Sequence, residues 1–197
     1  MTVNDYCFFI LYCIVMKTIL LSFVVLFVVV GCAKHDAMHI WDPDYLADHA
    51  NHIHHEVTSE ESFIADMIPH HQEAVDTSAR LADITQDPVL QELTQDIVSG
   101  QAAEIAMMQW WLDMWYPASS YQSTYMPMMR DTSTISSVST IERMRLEDMI
   151  QHHMGAVMMA EDVLKLNPRE EVAIFARDVI SVQTDEILLM QQLLQNY

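Results

Sequence analysis

Asp66-Met67-Ile68-Pro69-His70-His71-Gln72-Glu73-Ala74-Val75 decides how this chain is read, because it returns as Asp148-Met149-Ile150-Gln151-His152-His153-Met154-Gly155-Ala156-Val157. The offset is 82 positions (148 minus 66). A second pair keeps that offset: Gln101-Ala102-Ala103-Glu104-Ile105, running on to Met108, and Gln183-Thr184-Asp185-Glu186-Ile187, running on to Met190. Two motifs recurring at one spacing mark a duplicated unit. Each unit carries Met-x-x-His-His and, one helix later, Gln-x-x-Glu-x-x-x-Met.

At about 100° per residue, positions three and four apart share a helix face. Met67 then lies between His70 and His71, with Phe63, Ala74 and Ser78 on the same side. Met149 lies likewise between His152 and His153, flanked by Ala156 and Ala160. Thioether and imidazole, paired and repeated, form a soft donor set that suits Cu(I) far better than Mg, Ca or Mn. The plainer alternative makes the methionines core filler and the histidines satisfied core residues. Repetition of all four histidines at matching positions weighs against it. The expected metal ligands are therefore Met67, His70, His71, Glu104 and Met108 in the first unit, and Met149, His152, His153, Glu186 and Met190 in the second.

Start and stop signals around these motifs predict four helices. Thr58-Ser59-Glu60-Glu61 reads as a capping box for a helix to about Ile84. Asp87-Pro88 supplies an N-cap and a first-turn proline for a helix to about Trp115. Ser139 with Glu142 is a second capping box, opening a helix to about Leu166, and Asn167-Pro168 with Glu170 opens the last. Pro69 falls inside the first helix, where it frees the carbonyl of Ala65 and should bend the axis. No segment alternates as a strand does. Residues 58–115 form repeat one and 139–197 repeat two. Between them lies Tyr116 to Val138, rich in Ser, Thr, Tyr and Pro, which is too long for a tight turn. Two helical hairpins joined by one long crossover make an all-α four-helix bundle with ferritin-like connectivity.

Composition narrows the function. With 9 basic and 28 acidic residues the net charge is −19, which argues against nucleic acid and against an anionic membrane surface. Cys7, Cys13 and Cys32 all lie in or beside the N-terminal apolar run, so residues 33–197 carry no thiol. Metal ligation without thiolates suits an oxidising compartment. From Met16 a basic start, an apolar run and Val29-Val30-Gly31-Cys32 read as an export signal ending in a lipobox-like sequence, with Cys32 as the lipidated residue and the one link to a membrane. A transmembrane anchor is the alternative, since the run is long enough to span. Residues 33–57 form a polar arm carrying His35, Met38, His39, His49, His52, His54 and His55, a composition found in metal-binding tracts.

Ferritin-like di-iron proteins draw a Glu from each of two helices and Glu-x-x-His from the other two. Here Met67 and Met149 stand where that motif has its glutamate, which argues against an oxygen-activating di-iron centre. The paired Met-Ile-x-His-His motifs with Gln-x-x-Glu-x-x-x-Met downstream resemble a bacterial family catalogued as a domain of unknown function. The resemblance covers roughly Thr58 to Tyr197. It implies a ferritin-like fold, export to the periplasm or beyond, copper binding in metal tolerance, and a copper-sensing two-component system as partner. Family repeats often end in a Met-Ala pair, as Met159-Ala160 does, whereas the first unit has Thr77-Ser78. The first site is therefore expected to be poorer in sulfur than the second.

Taking Met149 as the inward direction, Met144, Glu147, Gln151, Met154 and Met158 fall on the opposite face of the third helix. If that stripe is open to solvent it is costly unless used, and Met154 with Met158 is expected to clamp Cu(I) as a second site. Met107 and Met114, beside Trp110-Trp111, are expected to pack. The sequence thus predicts an exported, non-enzymatic protein that sequesters or buffers copper, Cu(I) first and Cu(II) through histidine. A copper-dependent oxidase and a metal-free structural bundle are the competing readings.

Overall fold

The computed structural model describes residues 57–197, and these form four helices with no strand among them. They are α1 (Glu60–Ala82), α2 (Pro88–Trp115), α3 (Val138–Lys165) and α4 (Glu170–Leu194). The export segment and all of the histidine-rich arm before Val57 lie outside the described residues.

Each helix starts for a local reason. Ser59 caps α1: its hydroxyl accepts from the Ser62 N–H at 3.0 Å while the Ser62 hydroxyl accepts from the Ser59 N–H at 3.0 Å. The expected box with Glu61 thus closes one residue later, with a serine in the glutamate's role. Asp87 caps α2 by accepting from Val89 and Leu90 at 2.8 and 3.2 Å, with Pro88 in the first turn as expected. Ser137, not Ser139, caps α3, accepting from the Thr140 N–H at 3.3 Å. Glu142 is unavailable to a box there, because it is buried and accepts the Thr85 hydroxyl at 2.5 Å. Asn167 was expected to open α4 but instead ends α3, with φ at 54°, a left-handed conformation that asparagine tolerates. Arg169 occupies the N-cap of α4 without a side-chain capping bond to the helix. α1 is one helix through Pro69.

α1 packs on α2, α3 on α4, and the two hairpins meet through α1 and α3. One apolar cluster joins the end of α1 (Leu81), the start of α2 (Leu90, Leu93), the start of α3 (Leu146, Met149) and the end of α4 (Met190, Leu193). The other joins the start of α1 (Phe63, Met67), the end of α2 (Met108, Trp111), the end of α3 (Met159, Val163) and the start of α4 (Val172, Phe175). α1 and α3 therefore run in opposite directions, and the duplication folds as two halves related by an approximate two-fold axis. Equivalent latches close its ends. At one, Glu60 accepts from the Tyr116 hydroxyl and the Arg169 N–H, both at 2.6 Å. At the other its counterpart Glu142, 82 positions on, accepts from the Thr85 hydroxyl.

The crossover (residues 116–137) is fastened by acidic residues of the two motifs. Asp66 accepts from the Tyr121 hydroxyl at 2.7 Å and the Thr124 N–H at 2.8 Å. Glu73 accepts from the N–H groups of Met128 and Met129 at 3.0 and 3.1 Å, and from the Tyr125 hydroxyl. Asp148, the counterpart of Asp66, accepts from Arg130 through its N–H at 3.1 Å and its Nε at 2.5 Å. These bonds span 18 to 58 positions, and together they strap an irregular segment along the bundle.

Candidate metal centre

The motif faces point inward as their spacing predicts. His70, His71, His152 and His153 are buried to 1% exposure or less, and Met67, Met108, Met149 and Met190 are buried with them. His71 Nε2 lies 2.9 Å from Glu104 Oε2, and His153 Nε2 lies 2.8 Å from Glu186 Oε2. A carboxylate can only accept, so each Nε2 carries a proton and donates it. Both Nδ1 atoms are buried without a hydrogen-bond partner. His152 donates from Nε2 to the His70 carbonyl at 3.0 Å, and its Nδ1 also lacks a partner. The His70 and His152 rings, one from each repeat, face each other across the centre at 3.7 Å.

Burial pushes the His152 imidazolium well below its ordinary range, and His153 and His71 push the same way against the pull of the His70 carbonyl. In the unfolded chain this ring takes up a proton below about pH 6.5, and in the folded chain it does not. Its stabilising contribution is therefore full above that pH. It is lost as pH falls toward the depressed folded value, at up to about 1.4 kcal/mol per pH unit. Thermal melts at pH 7 and pH 5 should show a larger drop for the wild type than for His152→Gln; equal drops would refute this account.

The sulfurs are shared differently from the sequence expectation. Met159 lies with Met67 and Met108 in one cluster, whereas Met149, Met154 and Met190 lie in the other. Because α1 and α3 run oppositely, the Met-Ala pair after the second motif reaches the end that holds the first. The first motif is therefore not the sulfur-poor one. Nor is the outer stripe of α3 open. Met154 is 5% exposed inside the cluster against which Met129 of the crossover packs, and Met144 and Met158 are half-buried. Met107 packs as expected, but Met114 is 45% exposed.

Among the described residues no three His, Asp or Glu side chains are arranged to hold a metal by themselves, so further donors would have to come from thioethers. Two features escaped the sequence reading. Gln101 and Gln183 are buried with Oε1 unpartnered, a matched pair whose only signal was its place in the repeated motif. Glu73, aligned with Gly155, brings Oε2 to 3.7 Å from His152 Nε2. Nothing in the spacing pointed to it.

Fold and site together define a ferritin-like bundle with a duplicated histidine–methionine helix at its centre. The profile of a family described as domain of unknown function DUF305 matches residues 60–194. Solved structures agree. CopM in its Cu(II)-bound form is 29% identical, with a TM-score of 0.64, covering 72% of this chain and 99% of that one. CopM in its Cu(I)-bound form is 31% identical, with a TM-score of 0.62, covering 71% and 98%. A candidate secreted DUF305 protein from Streptomyces coelicolor is 30% identical, with a TM-score of 0.60, covering 70% and 93%. None of the curated proteins matches the chain. The chain belongs to the DUF305 family.

Proposed function

We propose that this protein binds copper in the bundle centre, Cu(I) in preference to Cu(II), and lowers the free ion outside the cytoplasm. The observation that carries this reading is the set of buried, unpartnered Nδ1 atoms of His71, His152 and His153 in a core supplied with thioethers. A ligating histidine commonly donates its other N–H to a carboxylate, which fixes tautomer and ring orientation. Glu104 and Glu186 take that orienting role, and Met67, Met108, Met149 and Met190 supply sulfur. Burial adds to the preference, since desolvating a doubly charged ion costs far more than desolvating a singly charged one. CopM, solved with Cu(I), with Cu(II) and with silver, supports the soft-metal assignment.

No helix among the described residues is long and apolar enough to cross a membrane. We assign residues 1–32 to export with lipid attachment at Cys32, residues 33–57 to a copper-collecting arm, and residues 58–197 to the bundle. Met154 and Met158 serve as auxiliary sulfur, and a copper-sensing two-component system is the regulatory partner. The role is binding and buffering, without turnover.

The test is copper analysis of protein from the periplasm, with and without reductant, beside a His71→Gln/His153→Gln variant. Glutamine can still donate to Glu104 and Glu186 but removes both imidazoles. Bound Cu(I) should fall by about half or more while the melting temperature moves by only a few degrees, as a roughly 1–2 kcal/mol change allows. Unchanged copper in a folded variant would sink the proposal.

A further inference from the structure

The outward face of α2 carries Gly100, Ala103, Met107, Trp110 and Met114, three and four positions apart on one line. Gly100 and Ala103 are exposed, Met107 is half-buried, Trp110 is 39% exposed and Met114 45%. Between Asp96 and Asp113, both exposed, the only charged residue is Glu104, and it is bonded to the buried His71. A surface helix ordinarily turns polar residues outward, and a contiguous exposed apolar patch marks an interaction site. In a chain of net charge −19 this uncharged face needs a cause.

The duplication supplies an internal control. Adding 82 to each position gives Val182, Asp185, Leu189 and Gln192 on α4 and Asn196 just past its end. The other half of the bundle therefore carries Asp, Gln and Asn at three of the five places. Among the described residues a Cβ on Gly100 would meet nothing within 4 Å.

We propose that this face binds a second copy of the chain, α2 against α2, antiparallel about Ile105. A two-fold interface must be complementary to itself. In that register Trp110 lies on Gly100 of the second copy, and Met107 lies on Ala103 of the second copy. Large meets small in both pairs, and the pairs repeat on the other side of the axis. A parallel pairing would instead set Trp110 on Trp110. Edge contact with Trp115 at 6.4 Å already holds the Trp110 ring in place. A single helix face about 21 Å long buries less than the roughly 800 Å² per partner of a standard interface. The dimer is accordingly concentration-dependent. The net charge on each copy opposes it, so salt strengthens it.

Sedimentation of the full chain over a concentration series, at low and high salt, tests this without reference to metal. The average mass should climb toward twice the single-chain value, sooner at high salt. Gly100→Glu and Ala103→Glu should hold the single-chain mass throughout with unchanged circular dichroism, because both side chains enter open space on a helix. Gly100→Trp should also prevent pairing, and adding Trp110→Ala to it should restore pairing by exchanging large for small. A wild type that keeps the single-chain mass throughout overturns the proposal, even if its α2 captures a basic partner. So does a glutamate variant that pairs like wild type, or a size exchange that fails to restore pairing.

Discussion

Alanine at His70, His71, His152 and His153 together should unfold the bundle, with or without metal. The four rings sit at 1% exposure or less, and the His70 and His152 rings touch across the two-fold axis. Cutting a large buried side chain to alanine costs about 2–5 kcal/mol through lost burial and the cavity left behind. Four such losses in one contiguous patch reach about 8 kcal/mol even at the low end, against a total stability of about 5–15 kcal/mol. Neighbouring losses are not additive, and partial collapse recovers some of the cost. Glu104 and Glu186 would also lose the ring N–H groups they accept. Far-UV circular dichroism at 25 °C and a denaturant titration are the measurements. A cooperative melt within about 5 °C of the wild type would show that the rings contribute little, because even about 2 kcal/mol shifts a domain this size further. Loss of copper in such a variant could not be assigned to lost ligands, hence the glutamine pair proposed above.

Asp148→Ala should be the most damaging single change in the strapping of the crossover. Asp148 binds Arg130 and Arg145, and the Arg145 side chain is only 11% exposed. Removing one partner of a largely buried ion pair costs about 3 kcal/mol, most of it the stranded charge. Arg130 is 45% exposed and adds little. The melting temperature should fall by roughly 10 °C. Asp66→Ala is the natural comparison, since Asp66 holds the equivalent place but accepts from the neutral Tyr121 hydroxyl and Thr124 N–H. Its loss should cost about 1–2 kcal/mol. Melts of both variants decide the matter: equal effects would mean that the charge on Arg145 finds another partner.

The fold was legible because a duplication repeats its own punctuation. Asp87-Pro88 marks a helix start on chemistry confined to a few positions, and Met67, His70 and His71 fall inward through spacing alone. The misses have physical causes. Ser59 pairs with Ser62 because a hydroxyl serves where a carboxylate was sought, and Glu60 was left free to hold Tyr116 and Arg169. Asn167 can cap a helix or end one, and only the left-handed φ distinguishes the two. Met154 was read as outward from a helical wheel, which takes no account of a crossover lying on top. Asp66, Glu73 and Asp148 bind partners far along the chain, and no periodic pattern announces such bonds. The centre was therefore legible in which motif residues turn inward, but not in what covers them or in which sulfur joins which motif.

That last point bears on descent. Met159 belongs by sequence to the second half and by position to the first, at the bundle end where Met67 and Met108 lie. The reciprocal position, Thr77, holds no sulfur for the opposite end. A change in one half is thus felt in the other, and the two copies cannot drift as independent genes joined by a linker would. A substitution in either copy therefore alters the packing around both.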